Sequence, residues 1–580
     1  MKKYQIQEFF KLRMVELYSK NAIDSNRVRC NNTMSLLYEL KEELRNWYRG
    51  NIKRIETILL FIDETLTSVK NDEVVDISIM PIEVLNDVIT KFKANNNKDK
   101  RDEDTSKLFI HYLSILIEGN ERSYLERHFA LIEDMIFGDD DIDESKDLYP
   151  YLIRLDKILI SFSYELLRIG YSKIYLYNHF LHILKNENKL EFNDVFKSLR
   201  ESLTQRKMQN MTVIFRMDFQ TEAKQQKVAV LFPELSGDVP QRFIDVTTKD
   251  RQKHLQPSPN RFYISHVQAL DEAAAVKKVR YELSRILDTR QTGIYLINAQ
   301  IPYSANVYLE LPNGDLRHKF VTAYNMDIKT PGLIEYPQTL VDALEHIRSN
   351  DSAQEVVDRL YSALRHLRVG DRQSELEQKF INFWIGLEFI FSSAISGDST
   401  YSRLQQNLKN ILSCVYLKRN FSELNFLLQE KGYLNNDEYF WINHLVDFDE
   451  FNASVTSLLL WYRLKKVKSL LQTGDAKEKY IKKHEVNLEQ HIERLYRLRN
   501  RFIHEAALNQ DIENVTSNLR SYLVTIINLC IGYFCGRPSA KGLGMNDFFW
   551  EFDYWRELMK KKDYSLDVMF KVPDIIYYVK

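Results

Sequence analysis

Near the C-terminal end, Glu493 to Ala507 reads ERLYRLRNRFIHEAA, in which Arg499 and His504 are separated by four residues and Asn500 directly follows the arginine. Leu488, Ile492, Leu495, Phe502 and Ala506 recur at steps of three, four and seven, the apolar stripe of an amphipathic helix. Arg499 falls in that stripe, so its guanidinium must snorkel out along its stem or meet an anion in a cleft. Asn500 and His504 share a helical face, as do Arg497, Arg501 and His504. Arginine can clamp a phosphate with two parallel hydrogen bonds, and an imidazole with an ordinary pKa of about 6.5 can move a proton at neutral pH. Metal-free cleavage of an RNA phosphodiester requires that pairing of roles. A base takes the proton of the ribose 2′-OH, or an acid protonates the leaving 5′-oxygen, while cations hold the charge of the pentacoordinate transition state. The same spacing also describes a solvated basic face with a surface histidine, since Arg and His are common on amphipathic helices.

The string RLRNRFIHEA resembles the Arg-Asn-x-x-x-His signature of the HEPN superfamily, all-helical domains that include RNA-cleaving toxins and anti-phage abortive-infection proteins. Its Tyr-Arg-Leu-Arg lead-in and the long apolar helix that follows are similar to the Apea-like branch, over about the last 200 residues. The resemblance implies an endoribonuclease in which His504 is the acid or base, Arg499 stabilises the phosphorane, Asn500 orients the imidazole or the phosphate, and Arg497 and Arg501 supply substrate contacts. It implies no metal and no other cofactor, RNA such as tRNA or mRNA as substrate, and products with 2′,3′-cyclic phosphate and 5′-OH ends. It further implies a homodimer whose motif helices face one another, and an antiviral defence role triggered by a phage-derived signal. Arg497 also satisfies the looser family spacing. Arg499 is preferred because Asn500 follows it, although Arg499 and His504 lie about 140° apart on an ideal helix. The alternative function is a catalytically silent HEPN scaffold or an RNA- or protein-binding module. A nucleotidyltransferase-paired system is disfavoured, because no Gly-Ser and paired-Asp constellation is evident.

The elements that must position these residues belong to a multidomain, mostly α chain. At 580 residues and 69.0 kDa it is too long for one core, and 80 Lys plus Arg against 81 Asp plus Glu leave no global basic field. Any RNA contact is therefore a local patch. Cys30, Cys414, Cys530 and Cys535 show no C-x-x-C pair, so neither a disulfide framework nor a zinc site is indicated. Charges interrupt the basic N-terminus, and no apolar run reaches ~18 residues, so a cytoplasmic setting without a membrane is expected. The 17 glycines form neither G-x-G-x-x-G nor G-x-x-x-x-G-K-[ST], leaving ATP and dinucleotides without their usual cradle.

Residues 1–209 read as a helical N-terminal region with a sensing or regulatory role, and charged breaks near residues 100 and 142 read as loops. Residues 210–327 read as an α+β domain with strands at MTVIFRMDF, KVAVLFPEL, RFIDVTT, NRFYISHVQA, GIYLINAQI, SANVYLEL and HKFVTAY, and with one helix from Asp271 to Asp288. That helix carries Lys277, Lys278, Arg280 and Arg285, readable as a nucleic-acid contact or as a solvated face. Residues 340–540 read as the all-α HEPN helical bundle, and residues 541–580 as an aromatic tail that packs on it or on a dimer interface. In the run INFWIGLEFIF, Glu388 is a carboxylate among apolar neighbours, either an exposed gap or the partner that orients Arg499 or Arg501. By position, residues 1–325 are expected to restrain a nuclease that would otherwise harm its host.

Overall fold

A computed structural model describes residues 3–19, 31–97, 100–138, 148–185, 191–205, 207–217, 226, 232–245, 255, 260–291, 303–320, 337–349, 354–373, 375–392, 399–444, 447–472, 474–504, 512–535 and 542–561. The chain is mostly helical with a small antiparallel sheet, and it divides into two compact units. One unit comprises Met1–Glu165 with Met326–Lys580, the other Leu166–Asn325.

The first unit opens with α1 (Lys3–Tyr18), α2 (Thr33–Tyr48), α3 (Ile55–Asn71), α4 (Ile82–Asn95), α5 (Glu103–Glu121), α6 (Tyr124–Phe137) and α7 (Leu148–Arg168), whose last turn crosses the division. Local chemistry explains several starts. Asn32 and Ser35 form a capping box at α2, and Asp102 accepts from the Thr105 amide at α5. Met34, Leu37, Leu40, Leu44 and Trp47 of α2 join Ile58, Phe61 and Ile62 of α3 in an apolar core of their own, extending to Tyr124.

In the second unit, α8 (Lys173–Lys185), α9 (Phe192–Thr204), α10 (Gln241–Asp245) and α11 (Glu272–Gln291) accompany strands β1 (Gln209–Met217), β2 (Leu235–Ser236), β3 (Arg261–Ala269), β4 (Tyr303–Glu310) and β5 (Leu316–Phe320). The sheet order is β2-β3-β1-β4-β5, with every pair antiparallel. Val213 and Phe215 of β1 face one core together with Val276, Val279 and Leu283 of α11, while Ile214 faces a second with Phe243 and Phe262. Burial on both faces explains why this strand alternates only in part. Asp271 caps α11 by accepting from the Ala273 and Ala274 amides, and it also holds Ser172 through its amide and hydroxyl. Lys277, Lys278 and Arg285 are exposed and Arg280 is half-buried.

The first unit resumes with α12 (Pro337–Ser349), α13 (Gln354–Arg372), α14 (Leu376–Phe391), α15 (Thr400–Glu430), α16 (Phe440–Asn443), α17 (Phe448–Ser454), α18 (Leu458–Gln472), α19 (Gly474–His504), α20 (Glu513–Cys535) and α21 (Met545–Lys560). Their core runs from Leu344 to Met559 and is distinct from the core of α2 and α3. Two glycines set its tightest crossings. A Cβ on Gly370 would sit 2.5 Å from the ring of Phe383, and one on Gly386 would sit 2.9 Å from Leu523. Close approach there fixes α14, and with it Glu388, against α13 and α20.

Several expectations are corrected. The region 1–209 is not one body: its first 165 residues share a unit with the C-terminal bundle, and α8 and α9 belong with the sheet. The cause lies in contacts such as Phe9 edge-on to Tyr462 at 5.5 Å and Arg13 and Tyr462 both on Asp156. RFIDVTT begins as the short helix α10, since Phe243 is needed under the sheet as a buried plug rather than as a ladder partner. Of KVAVLFPEL, residues 227–231 lie outside the described residues, and among the described ones Leu235 is in a strand; GIYLINAQI, residues 139–147 and residues 562–580 also lie outside the described residues. Helix α15 runs unbroken over 31 residues because no Gly or Pro interrupts it. In the aromatic tail, Phe548 and Phe552 of α21 are buried in the bundle and Phe549 stacks on Phe391 at 5.3 Å, while Trp550 and Tyr554 stay exposed.

Candidate active site on the motif helix

Helix α19 spans 31 residues, and its apolar stripe is the expected one: Leu488, Ile492 and Leu495 are buried, and Phe502 packs edge-on to Phe380 at 5.3 Å. That stripe docks α19 in the bundle and thereby sorts its polar side chains among different neighbours.

Arg499 and Glu388 face each other at 3.8 Å, each side chain about one quarter exposed. Glu388 also accepts from Trp384 Nε1 at 2.6 Å, which anchors the carboxylate from its own helix. Arg499 Nη1 donates to Asn500 Oδ1 at 3.2 Å, and its Nε has no hydrogen-bond partner among the described residues. Trp384, Glu388, Arg499 and Asn500 therefore form one contiguous group, with donor capacity on the guanidinium still unused. His504 is the last residue of α19; its side chain lies outside the described residues, as do residues 505–510.

Arg497 departs from its expected role. Its Nη2 and Nε both donate to Glu43 Oε2, at 2.8 and 3.2 Å, and the residue is only 7% exposed. A guanidinium so committed has no free fork for a phosphate, because α2 already supplies the anion. Arg501 is half-buried and adds to the positive field at Glu43. Burial raises the Glu43 carboxyl above its usual range, and Arg497 and then Arg501 oppose that rise.

The sequence reading missed the rest of this cluster. Arg494 Nε lies 2.8 Å from each Glu39 oxygen, and its Nη2 pairs with Glu64 of α3. Glu493, 3% exposed, accepts from Thr57 at 2.8 Å and from the Tyr401 hydroxyl. Tyr401 stacks on Tyr496 at 3.8 Å with Arg54 over its ring at 5.7 Å. Burial pushes Glu39 up to about 7 against the pull of Arg494, even though 27% of its side chain still meets solvent. Burial alone would lower Arg494, but Glu39 and Glu64 outweigh it and hold the guanidinium charged. A signal was available. Glu43 continues the stripe Leu36-Leu40-Glu43-Trp47, and Glu64 continues Thr57-Phe61-Glu64-Ser68.

Two further histidines on α19 are buried and neutral. His484 stacks on Tyr416 with ring centroids 3.5 Å apart, and His491 Nδ1 meets the Tyr522 hydroxyl at 3.1 Å. Burial lowers each to about 3, helped by Arg419 and Arg494 respectively. Neither can serve as a neutral-pH proton donor.

Among the described residues no His, Cys, Asp and Glu side chains cluster with metal-ligand geometry, and no helix is long and apolar enough to cross a membrane. Comparison of the chain with family models, curated proteins and solved structures returns no match.

Proposed function

We propose that the protein is a metal-independent endoribonuclease of the HEPN type, with its active site at Arg499, Asn500 and His504. The observation that carries the reading is the Arg-Asn-x-x-x-His order on a helix whose arginine is paired with Glu388 and whose Nε is unpartnered among the described residues. In this reaction the ribose 2′-oxygen attacks the adjacent phosphorus, the bond to the 5′-oxygen breaks, and a 2′,3′-cyclic phosphate remains. His504 moves the proton, as base at the 2′-OH or as acid at the leaving oxygen. Arg499, steered by Glu388 and Asn500, neutralises the charge gathering on the phosphorane. Arg501 supports it. A second copy of the chain facing α19 supplies the opposite wall of the cleft, and a phage-derived trigger releases the activity in the cytoplasm as an abortive response; both rest on the family resemblance alone.

A silent scaffold or binding module is the second reading, and one observation favours it. Arg494 and Arg497 are consumed by internal carboxylates, which leaves a smaller cationic surface than a phosphate-binding helix would offer. The two readings separate on a short RNA incubated in EDTA with wild-type protein and with His504→Ala. Cleavage by wild type alone, leaving cyclic phosphate ends, is the expected result. Equal cleavage by both proteins removes His504 from the mechanism, and cleavage by neither, together with no effect of either on cell growth, leaves the scaffold reading.

A further inference from the structure

We propose that the face of α19 covered by α2 and α3 is a second, concealed binding face for single-stranded RNA, kept closed by carboxylates that stand in for phosphates. The inference rests on the nuclease reading of α19 and adds a means of control to it.

The first observation is geometric. At 100° per residue, positions 494, 497, 501 and 504 fall within a sector of about 80°, whereas position 499 lies outside it. Helices α2 and α3 therefore cap the same face that carries position 504, two to three turns nearer the start of α19. The second is chemical. Both clamped arginines present their guanidinium edges to carboxylate oxygens, Arg494 to Glu39 and Glu64 and Arg497 to Glu43, which is the fork arrangement that a phosphate also satisfies. The third is electrical. Glu39, Glu43 and Glu64 oppose Arg494, Arg497 and Arg501 across the seam, so withdrawing α2 and α3 leaves three guanidiniums on the helix face against the single carboxylate of Glu493, a net positive surface.

The fourth observation concerns what opening would expose. The apolar core of α2 and α3 is separate from that of the bundle, and the seam between them at α19 is held by Thr57, Glu39, Glu43 and Glu64 on Glu493, Arg494 and Arg497. Parting the seam here exchanges ion pairs for solvent or for another anion, and the group that parts includes α4 and α5, whose Phe92, Phe109 and Leu113 share the core of α2 and α3. Polar seams of this kind separate more readily than apolar ones. RNA is favoured over an acidic protein segment because the cationic row continues toward the residues assigned to phosphodiester chemistry.

Binding and exchange measurements on the full-length chain test the proposal without reference to cleavage. The probe is a 20-nucleotide RNA with 2′-O-methyl ribose, which has no 2′-OH to attack, used in EDTA alongside polyglutamate. Glu43→Gln keeps the side chain's shape and removes its charge. It is expected to raise amide exchange in residues 33–71 about tenfold while helices α15 and α20 stay protected. It is also expected to tighten RNA binding about tenfold and to steepen its salt dependence by about 1.4 to 2 logarithmic units, at roughly 0.7 per phosphate contact on a single strand. If Glu43→Gln loosens α15 and α20 as well, Thr57→Val, which drops only the bond to Glu493, takes its place with the same expectations. Seam opening without tighter RNA binding overturns the proposal, as does tighter binding with α2 and α3 still protected, or an equal gain for polyglutamate. Failure of the same RNA with free 2′-hydroxyls to be cleaved would count against the nuclease reading alone.

Discussion

His484 and His491 make the stability of α19 depend on pH in a direction that can be worked out. Both are essentially removed from solvent and lowered from 6.5 to about 3 in the folded chain. When the folded pKa is depressed, the unfolded state binds more protons between the two values, so stability is complete above 6.5 and is lost as pH falls toward 3. Each histidine contributes a slope of up to about 1.4 kcal/mol per pH unit, and integrating from pH 7.5 to 5.0 gives about 2 kcal/mol each and about 4 kcal/mol together. Glu39 works oppositely. Its folded pKa is raised, so its contribution is fully present below about 4.5 and is lost as pH rises through about 7. The wild-type curve alone mixes these effects, and a difference isolates the histidines. The double variant His484→Phe, His491→Phe keeps a ring against Tyr416 and removes both titrating groups. Hydrogen-exchange mass spectrometry across a urea series, corrected for intrinsic rates at each pH, reads the opening free energy of residues 474–504. Wild type should lose about 4 kcal/mol more than the double variant between pH 7.5 and 5.0. A difference below about 1 kcal/mol would mean that both imidazoles titrate near their ordinary value in the fold, and the burial argument would fail.

Asp271→Ala removes four hydrogen bonds at the start of α11 and should destabilise the α+β unit by about 3 kcal/mol while leaving exchange in α15 and α20 unchanged. Gly370→Ala places a methyl group against the buried Phe383 ring; despite a helix-propensity gain of about 1 kcal/mol, it should lower stability by about 1–3 kcal/mol in thermal unfolding. Glu388→Gln removes the charge that faces Arg499 and should lower the turnover of RNA about tenfold with KM nearly unchanged, since the guanidinium is then aimed less well in the transition state; a pure KM effect would count against an orienting role.

The fold was legible where periodicity and local chemistry agree. The stripe of α19, the Asp271 cap and the helices of α2, α3 and α5 follow directly from spacing and capping residues. Glu388 was legible for a related reason, a carboxylate in an apolar run that had to find a partner, and Arg499 lies across from it. The role of Arg497 was not legible. Its partner is more than 450 positions away in the chain, and no local pattern distinguishes an arginine that awaits a phosphate from one already satisfied by Glu43. The strand expected at RFIDVTT failed for a similar reason. Phe243 and Val246 favour a strand by propensity, but the space beneath the sheet is filled by a helical turn that directs Phe243 inward. Short-range preference was overruled by a distant cavity's need for volume.

Deletion of residues 1–325, the stretch expected to restrain the nuclease, would have a second effect. It removes Glu39, Glu43 and Glu64, leaving Arg494 and Arg497 without counter-charges, and it cuts through a single compact unit. Toxicity of such a fragment would report on that exposed face as much as on any lost sensor.

The charged seam has a consequence for inheritance. An apolar contact tolerates drift, because one hydrocarbon can replace another at modest cost. A buried guanidinium whose carboxylate is lost becomes a liability of about 3–5 kcal/mol, so a lineage cannot pass easily through the intermediate with one partner missing. Positions 39, 43 and 64 should therefore change in step with 494 and 497 among descendants of a common ancestor, either retained together or replaced together by hydrocarbon side chains. Those pairs, far apart in the chain, would record that α2, α3 and α19 have been read by selection as one object.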